Sequence, residues 1–337
     1  MTQHHTKIKA TSWFKLPHHA MTTMLICSAM LGSTSVWAID PTVKELRIGF
    51  QKSSINFAIA KQQKLFEQEF PNAKITWNEF PAGPQLLEGL NVGSIDFGTV
   101  GETPPIFAQA ANAKITYIGY KPASPKSEAI IVQKDSSIKS VADLKGKKVV
   151  LNKGSNVHYL LVKALENAGL KYSDIETVFL APADARAAFE RGSVDAWVIW
   201  DPFLAAAETK IEAKILKDGT SLVNNYQFYL AEESYANKNQ KVIAAIFEEL
   251  KKVDTWVLKE PKEAAKILSS INGLDISALE KALPRSEFDT NYLNEKVIAE
   301  QQKIADTFYD LKLIPKKIEI KSVEIGRASC RERVSSP

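Results

Sequence analysis

Gly154-Ser155-Asn156 stands between a short apolar run, residues 148–151, and a helical pattern over residues 157–168. At the start of a helix, free backbone N–H groups and the positive end of the helix dipole favour an anion. Ser155 and Asn156 add side-chain donors, and His158 falls in the first turn beside them. A second loop of the same kind, Gln51-Lys52-Ser53-Ser54, follows the apolar run 46–50 and precedes a helical pattern over 55–70. Trp200 and Asp201 end another apolar run. A tryptophan there can floor a pocket for an apolar tail or lie over a ligand cation. Glu102 and Thr103, after Gly101, stand at the corresponding place earlier in the chain. Phe228 and Tyr229 are expected on the hinge side. Each loop alone reads equally as an ordinary helix cap, because Ser and Asn are default cap residues. Trp200 with Asp201 reads equally as a core aromatic followed by a cap.

The elements that position these residues occur twice. Gly93-Ser94-Ile95-Asp96 begins a stretch ending at Pro104, and Gly192-Ser193-Val194-Asp195 begins one ending at Pro202 and Phe203. Each is a turn, an acid, a buried strand and a polar break with proline. The upstream loops at Gln51 and Asn152 repeat at nearly the same spacing. Both halves read strand, polar loop, helix, strand, helix, strand, polar loop, which predicts two similar α/β lobes. Turn formers over 121–127 mark one crossing between lobes, and residues 224–231 are expected to be the return crossing. The expected division is residues 39–125 with 226–323 in one lobe, its C-terminal helices packed back on it, and 126–225 in the other. Ligands of open α/β sheets bind beyond the carboxyl ends of the strands. Four such loops would face one cleft.

Composition excludes several alternatives. The chain has 337 residues and a formal charge of +4. Residues 1–38 carry Lys7, Lys9 and Lys15 and no acid, then an apolar centre over 21–30 and Val36-Trp37-Ala38. That pattern predicts an export signal cleaved after Ala38. Without those three lysines the charge is +1, and no basic stripe with interleaved aromatics points to nucleic acid. Residues 324–337 resemble the conceptual translation of a sequencing-library adapter and are set aside, together with the alternative of a basic tail. Cys27 lies in the signal and Cys330 in that tail, so no cysteine remains for a disulfide, thiolate or metal site. The single remaining histidine cannot form a zinc cluster. Gly-x-Ser-x-Gly, the P-loop and Gly-x-Gly-x-x-Gly are all missing. A hydrolase using His158 and a serine stays open on residue types alone.

Four runs together carry a resemblance: 47–52, Val100-Gly101-Glu102-Thr103-Pro104-Pro105, 152–158 and 195–202. They resemble the periplasmic aliphatic sulfonate-binding proteins of ABC importers, within a wider group that binds taurine, nitrate and thiamine precursors. The resemblance spans about residues 46–313. It implies a type II periplasmic binding fold, two lobes and a two-segment hinge that close on a small organic anion, most closely an alkanesulfonate. A membrane permease would then receive the ligand for sulfur acquisition, with no cofactor and no catalysis. It further implies a sulfonate held by Gly154, Ser155 and Asn156, with Gln51, Lys52, Glu102 and Thr103 facing it and Trp200 and Asp201 against the organic part. Ser53 and Gly101 in the same loops, His158 beside the anion loop and Tyr229 on the hinge side complete the expected site, and a receptor that must open and close is expected to be a monomer. Taurine, nitrate or a pyrimidine remain as alternative ligands. The cysteine-rich motif of the pyrimidine-forming branch does not occur between residues 39 and 323.

Overall fold

The computed structural model describes residues 43–323; the expected export signal and the tail from residue 324 lie outside them. The chain opens with β1 (Glu45–Phe50), α1 (Ile55–Gln62), α2 (Leu65–Glu69), β2 (Lys74–Glu79), α3 (Gly83–Asn91), β3 (Phe97–Gly101), α4 (Pro104–Ala110) and β4 (Ile115–Lys121). After a crossing come β5 (Glu128–Val132), β6 (Lys148–Leu151), α5 (Asn156–Asn167), β7 (Glu176–Phe179), α6 (Pro182–Glu190), β8 (Ala196–Trp200), α7 (Phe203–Lys210) and β9 (Lys214–Asp218). The return leads to β10 (Gln227–Glu232), α8 (Glu233–Lys238), α9 (Gln240–Lys259), α10 (Pro261–Asn272), α11 (Ile276–Ala282), β11 (Asn291–Tyr292) and α12 (Glu295–Asp310).

These strands form two sheets, ordered β11-β4-β10-β3-β1-β2 and β7-β6-β8-β5-β9. β1 runs parallel to β2 and β3, and β6 runs parallel to β7 and β8. In each sheet the strand entered from a crossing is inserted antiparallel: β10 between β3 and β4, and β5 between β8 and β9. The architecture is therefore two α/β lobes, each a sheet flanked by helices.

The repeated Asp does the same job in both. Asp96 accepts a hydrogen bond from the Arg47 amide at 2.8 Å, and Asp195 accepts one from the Lys148 amide at 2.8 Å. Each acid ties the turn before β3 or β8 to the neighbouring parallel strand, β1 or β6. Gly93 and Gly192 begin those turns at φ 69° and 70°, a region where a Cβ is costly.

Two expectations are corrected. The helix expected over 55–70 breaks at Lys64, which adopts φ 54°. The break lets Phe66 lie flat against Trp77, ring centres 5.3 Å apart. The return crossing ends at Tyr226, and residues from Gln227 onward are a strand buried inside the first sheet. Its alternation is lost because both faces are covered. Among the C-terminal helices, α9 and α10 pack on α1, and α11 packs on both α10 and α7, so it touches both halves.

Candidate functional site

The loops at the carboxyl ends of β1, β3, β6 and β8 converge on one cavity of about 60 Å³. Both crossings reach it as well. Gln51, Ser53, Ser54 and Asn56 come from the first loop and the start of α1. Thr99 and Gly101 come from β3, Asn156 from α5, and Trp200 and Asp201 from β8. Lys121, Ser124, Ser127 and Asn225 come from the crossings. The lining is polar, and most of its side chains are held in place.

Asn56 donates to the Tyr229 hydroxyl at 2.7 Å and to Asp254 at 3.2 Å. Thr290 closes that network, 2.5 Å from the other Asp254 oxygen and 2.9 Å from the Tyr229 hydroxyl. Gln51 donates to the Thr99 carbonyl at 3.2 Å. Asn156 donates to Glu128 at 2.5 Å and to Asn225 at 2.9 Å. Asn225 in turn donates to the Ser124 carbonyl at 3.1 Å and the Ser127 hydroxyl at 2.9 Å, so it joins the two crossings. Gly101 allows the lobes to meet here: a Cβ on it would sit 2.8 Å from the Asn156 side-chain oxygen.

Asp201 uses one carboxylate oxygen to accept from the Ala205 amide at 3.0 Å. The other oxygen has no hydrogen bond and lies 3.6 Å from Arg285. Burial pushes its pKa up to about 7, against the opposing pull of Arg285.

Gln51, Ser53, Gly101, Asn156, Trp200 and Asp201 thus line the cavity, while the other residues expected at the site do not. Lys52 points outward, 3.7 Å from Glu79. Glu102 is wholly buried; one carboxylate oxygen accepts from the Tyr226 amide at 2.8 Å, and burial raises its pKa to about 7. Thr103 is buried at the start of α4. Gly154, at φ 73°, faces the Phe107 ring, and its N–H is bonded to His158. Ser155 turns its hydroxyl to the Asn152 carbonyl at 2.7 Å, closing its own turn. Tyr229 lies one layer behind Asn56. His158 is enclosed by aromatic rings, with its Nε2 2.7 Å from the Tyr172 hydroxyl. Burial lowers its pKa to about 4, so it is neutral near pH 7, and it is not part of the cavity wall.

Sequence reasoning missed Lys121, Ser124, Ser127, Asn225 and, behind them, Glu128. The serines and Asn225 look like ordinary turn formers. The legible signal was charge at the edge of apolar strands: Lys121 ends β4 and Glu128 begins β5. Glu128 is fully buried, and desolvation together with Glu102 raises its pKa well above the usual carboxylate range. Among the described residues no group of histidines and acids could hold a metal.

A family model described as NMT1/THI5 like matches residues 53–264. The chain belongs to that family. Within it, the aliphatic sulfonates-binding protein of Escherichia coli (strain K12) is 46% identical over 290 residues, covering 86% of this chain and 91% of that protein. A structure of the periplasmic aliphatic sulphonate binding protein from Escherichia coli superposes with a TM-score of 0.78 at 46% identity, over 84% and 92% of the two chains. The alkanesulfonate-binding protein from Xanthomonas axonopodis pv. citri, bound to MOPS, gives a TM-score of 0.80 at 42% identity, over 83% and 98%. These family members are binding proteins.

Proposed function

We propose that this protein is an extracytoplasmic receptor that closes on aliphatic sulfonates and delivers them to an ABC importer for sulfur acquisition. The single observation that supports this best is the polar cavity enclosed between the two lobes, with loops from both lobes and both crossings in its wall. A sulfonate is ionised at neutral pH and carries three acceptor oxygens. Ser53, Ser54 and the first-turn amides of α1 and α5 are donors suited to such a group. Trp200 offers an apolar surface to the carbon chain. The named relatives, one of them holding the sulfonate buffer MOPS, support the same ligand class.

On this reading no bond is made or broken, and lobe closure excludes water from the bound head group. The protein acts as an exported monomer, cleaved after Ala38, and hands its ligand to an inner-membrane permease. Calorimetric titration with ethanesulfonate and longer homologues is expected to give saturable 1:1 binding with no product. No heat and no thermal stabilisation across the series would overturn the assignment.

One observation favours a second reading. Asp201 lines the cavity with one oxygen that has no hydrogen bond, and a carboxylate there could take an ammonium group, as in taurine, in competition with Arg285 at 3.6 Å. Competition at equal concentration separates the two: taurine displacing ethanesulfonate would identify an aminosulfonate receptor.

A further inference from the structure

Lys121 ends β4, pairs across the sheet with Gln227, and is followed by Pro122 at the start of the first crossing. Its side chain lines the cavity, and the residue is only 7% exposed. Lysines are seldom buried to that degree without a partner. Yet among the described residues no carboxylate reaches its ammonium as an ion pair, and no hydrogen bond holds it. The Phe288 ring lies beneath it, with Nζ 4.3 Å from the ring centre. The nearest acids contribute at longer range: Asp254 on α9 and Glu287 after α11. Both oxygens of Asp254 are already occupied by Asn56 and Thr290. Across the cavity, Asp201 is faced by Arg285. The remaining lining side chains are neutral.

The cavity wall therefore carries one ammonium that no carboxylate contacts directly, with Asp254 and Glu287 acting on it only at longer range. We propose that Lys121 is the specificity-determining residue of this site: its ammonium supplies the positive charge that pairs with the anionic head of the ligand. This rests on the receptor reading only in placing the ligand in this cavity. The burial that disfavours the charged lysine in the empty protein, and lowers its pKa, is offset when an anion arrives. A bound anion thus offsets a cost that burial otherwise places on the charged lysine. An anion is selected over a neutral molecule of the same shape because only the anion supplies that relief.

The test compares ethanesulfonate with ethanesulfonamide, its neutral analogue, on wild type, Lys121→Met and Lys121→Gln. Wild type is expected to favour the sulfonate by at least about 100-fold, in line with the cost of unpairing a buried charge. Both variants are expected to lose that preference, giving a ratio near one. They are also expected to melt no lower than the wild type when empty, because an unpaired buried charge has been removed. A lysine serving only the fold would do the reverse, lowering the melting temperature and leaving the ratio intact; that result overturns the proposal. Failure of both variants to fold overturns it as well. If wild type binds nitrate or sulfate through Lys121 but no sulfonate, the proposal stands and the sulfonate reading falls. Wild type binding no anion at all defeats both.

Discussion

Glu102 carries a carboxylate to a place that water does not reach. One oxygen accepts from Tyr226, the other has no hydrogen bond, burial penalises the charge, and Glu300 adds like charge nearby. Its pKa rises from 4.5 to about 7. Between those values the folded chain holds a proton that the unfolded chain has released, so stability falls as pH rises through that window. Above it the full cost of burying the charge is present, about 3 kcal/mol from a shift of that size. Asp201 acts in the same direction, while His158, held neutral, acts in the opposite one. A difference measurement isolates Glu102. Glu102→Gln mimics the protonated acid, so urea unfolding should show little difference from wild type near about pH 5. By about pH 8 the variant should be more stable by up to about 3 kcal/mol. A constant offset across that range would mean that Glu102 does not titrate there.

Among elements, β4 carries the tightest constraint. Gly119 pairs with Tyr292 of β11, and a Cβ there would strike the Asn291 carbonyl and lie 2.6 Å from the Phe247 ring. Backbone cannot move aside as a flexible side chain can. Gly119→Ala is therefore expected to cost about 1–3 kcal/mol of unfolding free energy, typical of overpacking, with the denaturant slope unchanged. A neutral substitution would show that β11 detaches freely. The same strand marks the limit of what the sequence discloses. The repeated Gly-Ser-x-Asp turns were legible because their work is local: a positive φ and an acid that bonds a strand start. The loops at Gln51, Asn156 and Trp200 were legible for the same reason, since a strand-to-helix junction fixes where they lie. Lys121 and Asn225 were not. Asn225 reads locally as a turn residue, and its partners Ser124 and Ser127 lie in the other crossing; Lys121 shows its charge at a strand edge, but that the strand end opens on the cavity depends on the fold. Gly154, Ser155 and His158 mislead in the opposite way: a loop built for an anion and a loop closed on itself use the same residue types. β10 was taken for a crossing because a strand buried on both faces shows no alternation.

At the scale of the whole molecule, two crossings are not the only connection between the halves. α11 lies on α7, and charges join them there. Arg285 bonds Glu208 at 2.6 Å, Lys281 bonds the other Glu208 oxygen at 3.0 Å, and Arg285 also reaches toward Asp201 in the cavity wall. Arg285 and Glu208 are mostly buried, with side chains 16% and 12% exposed. A wholly stranded buried charge typically costs about 3–5 kcal/mol, but Lys281 still pairs with Glu208 when Arg285 is removed, so the cost here is smaller. Arg285→Met alone should therefore destabilise by about 1–3 kcal/mol, and Arg285→Met with Glu208→Met should recover part of the loss in a double-mutant cycle. Because Arg285 also sits beside Asp201, the single variant should raise the pKa of Asp201 further and shift the pH dependence of ligand affinity. Glu208→Met removes a like charge and should lower that pKa slightly, the opposite direction. Affinity measured by titration across pH distinguishes the two. Equal pH profiles for both single variants, with strictly additive stability losses, would show that α11 rests on α7 by apolar packing alone and that the cavity does not sense it.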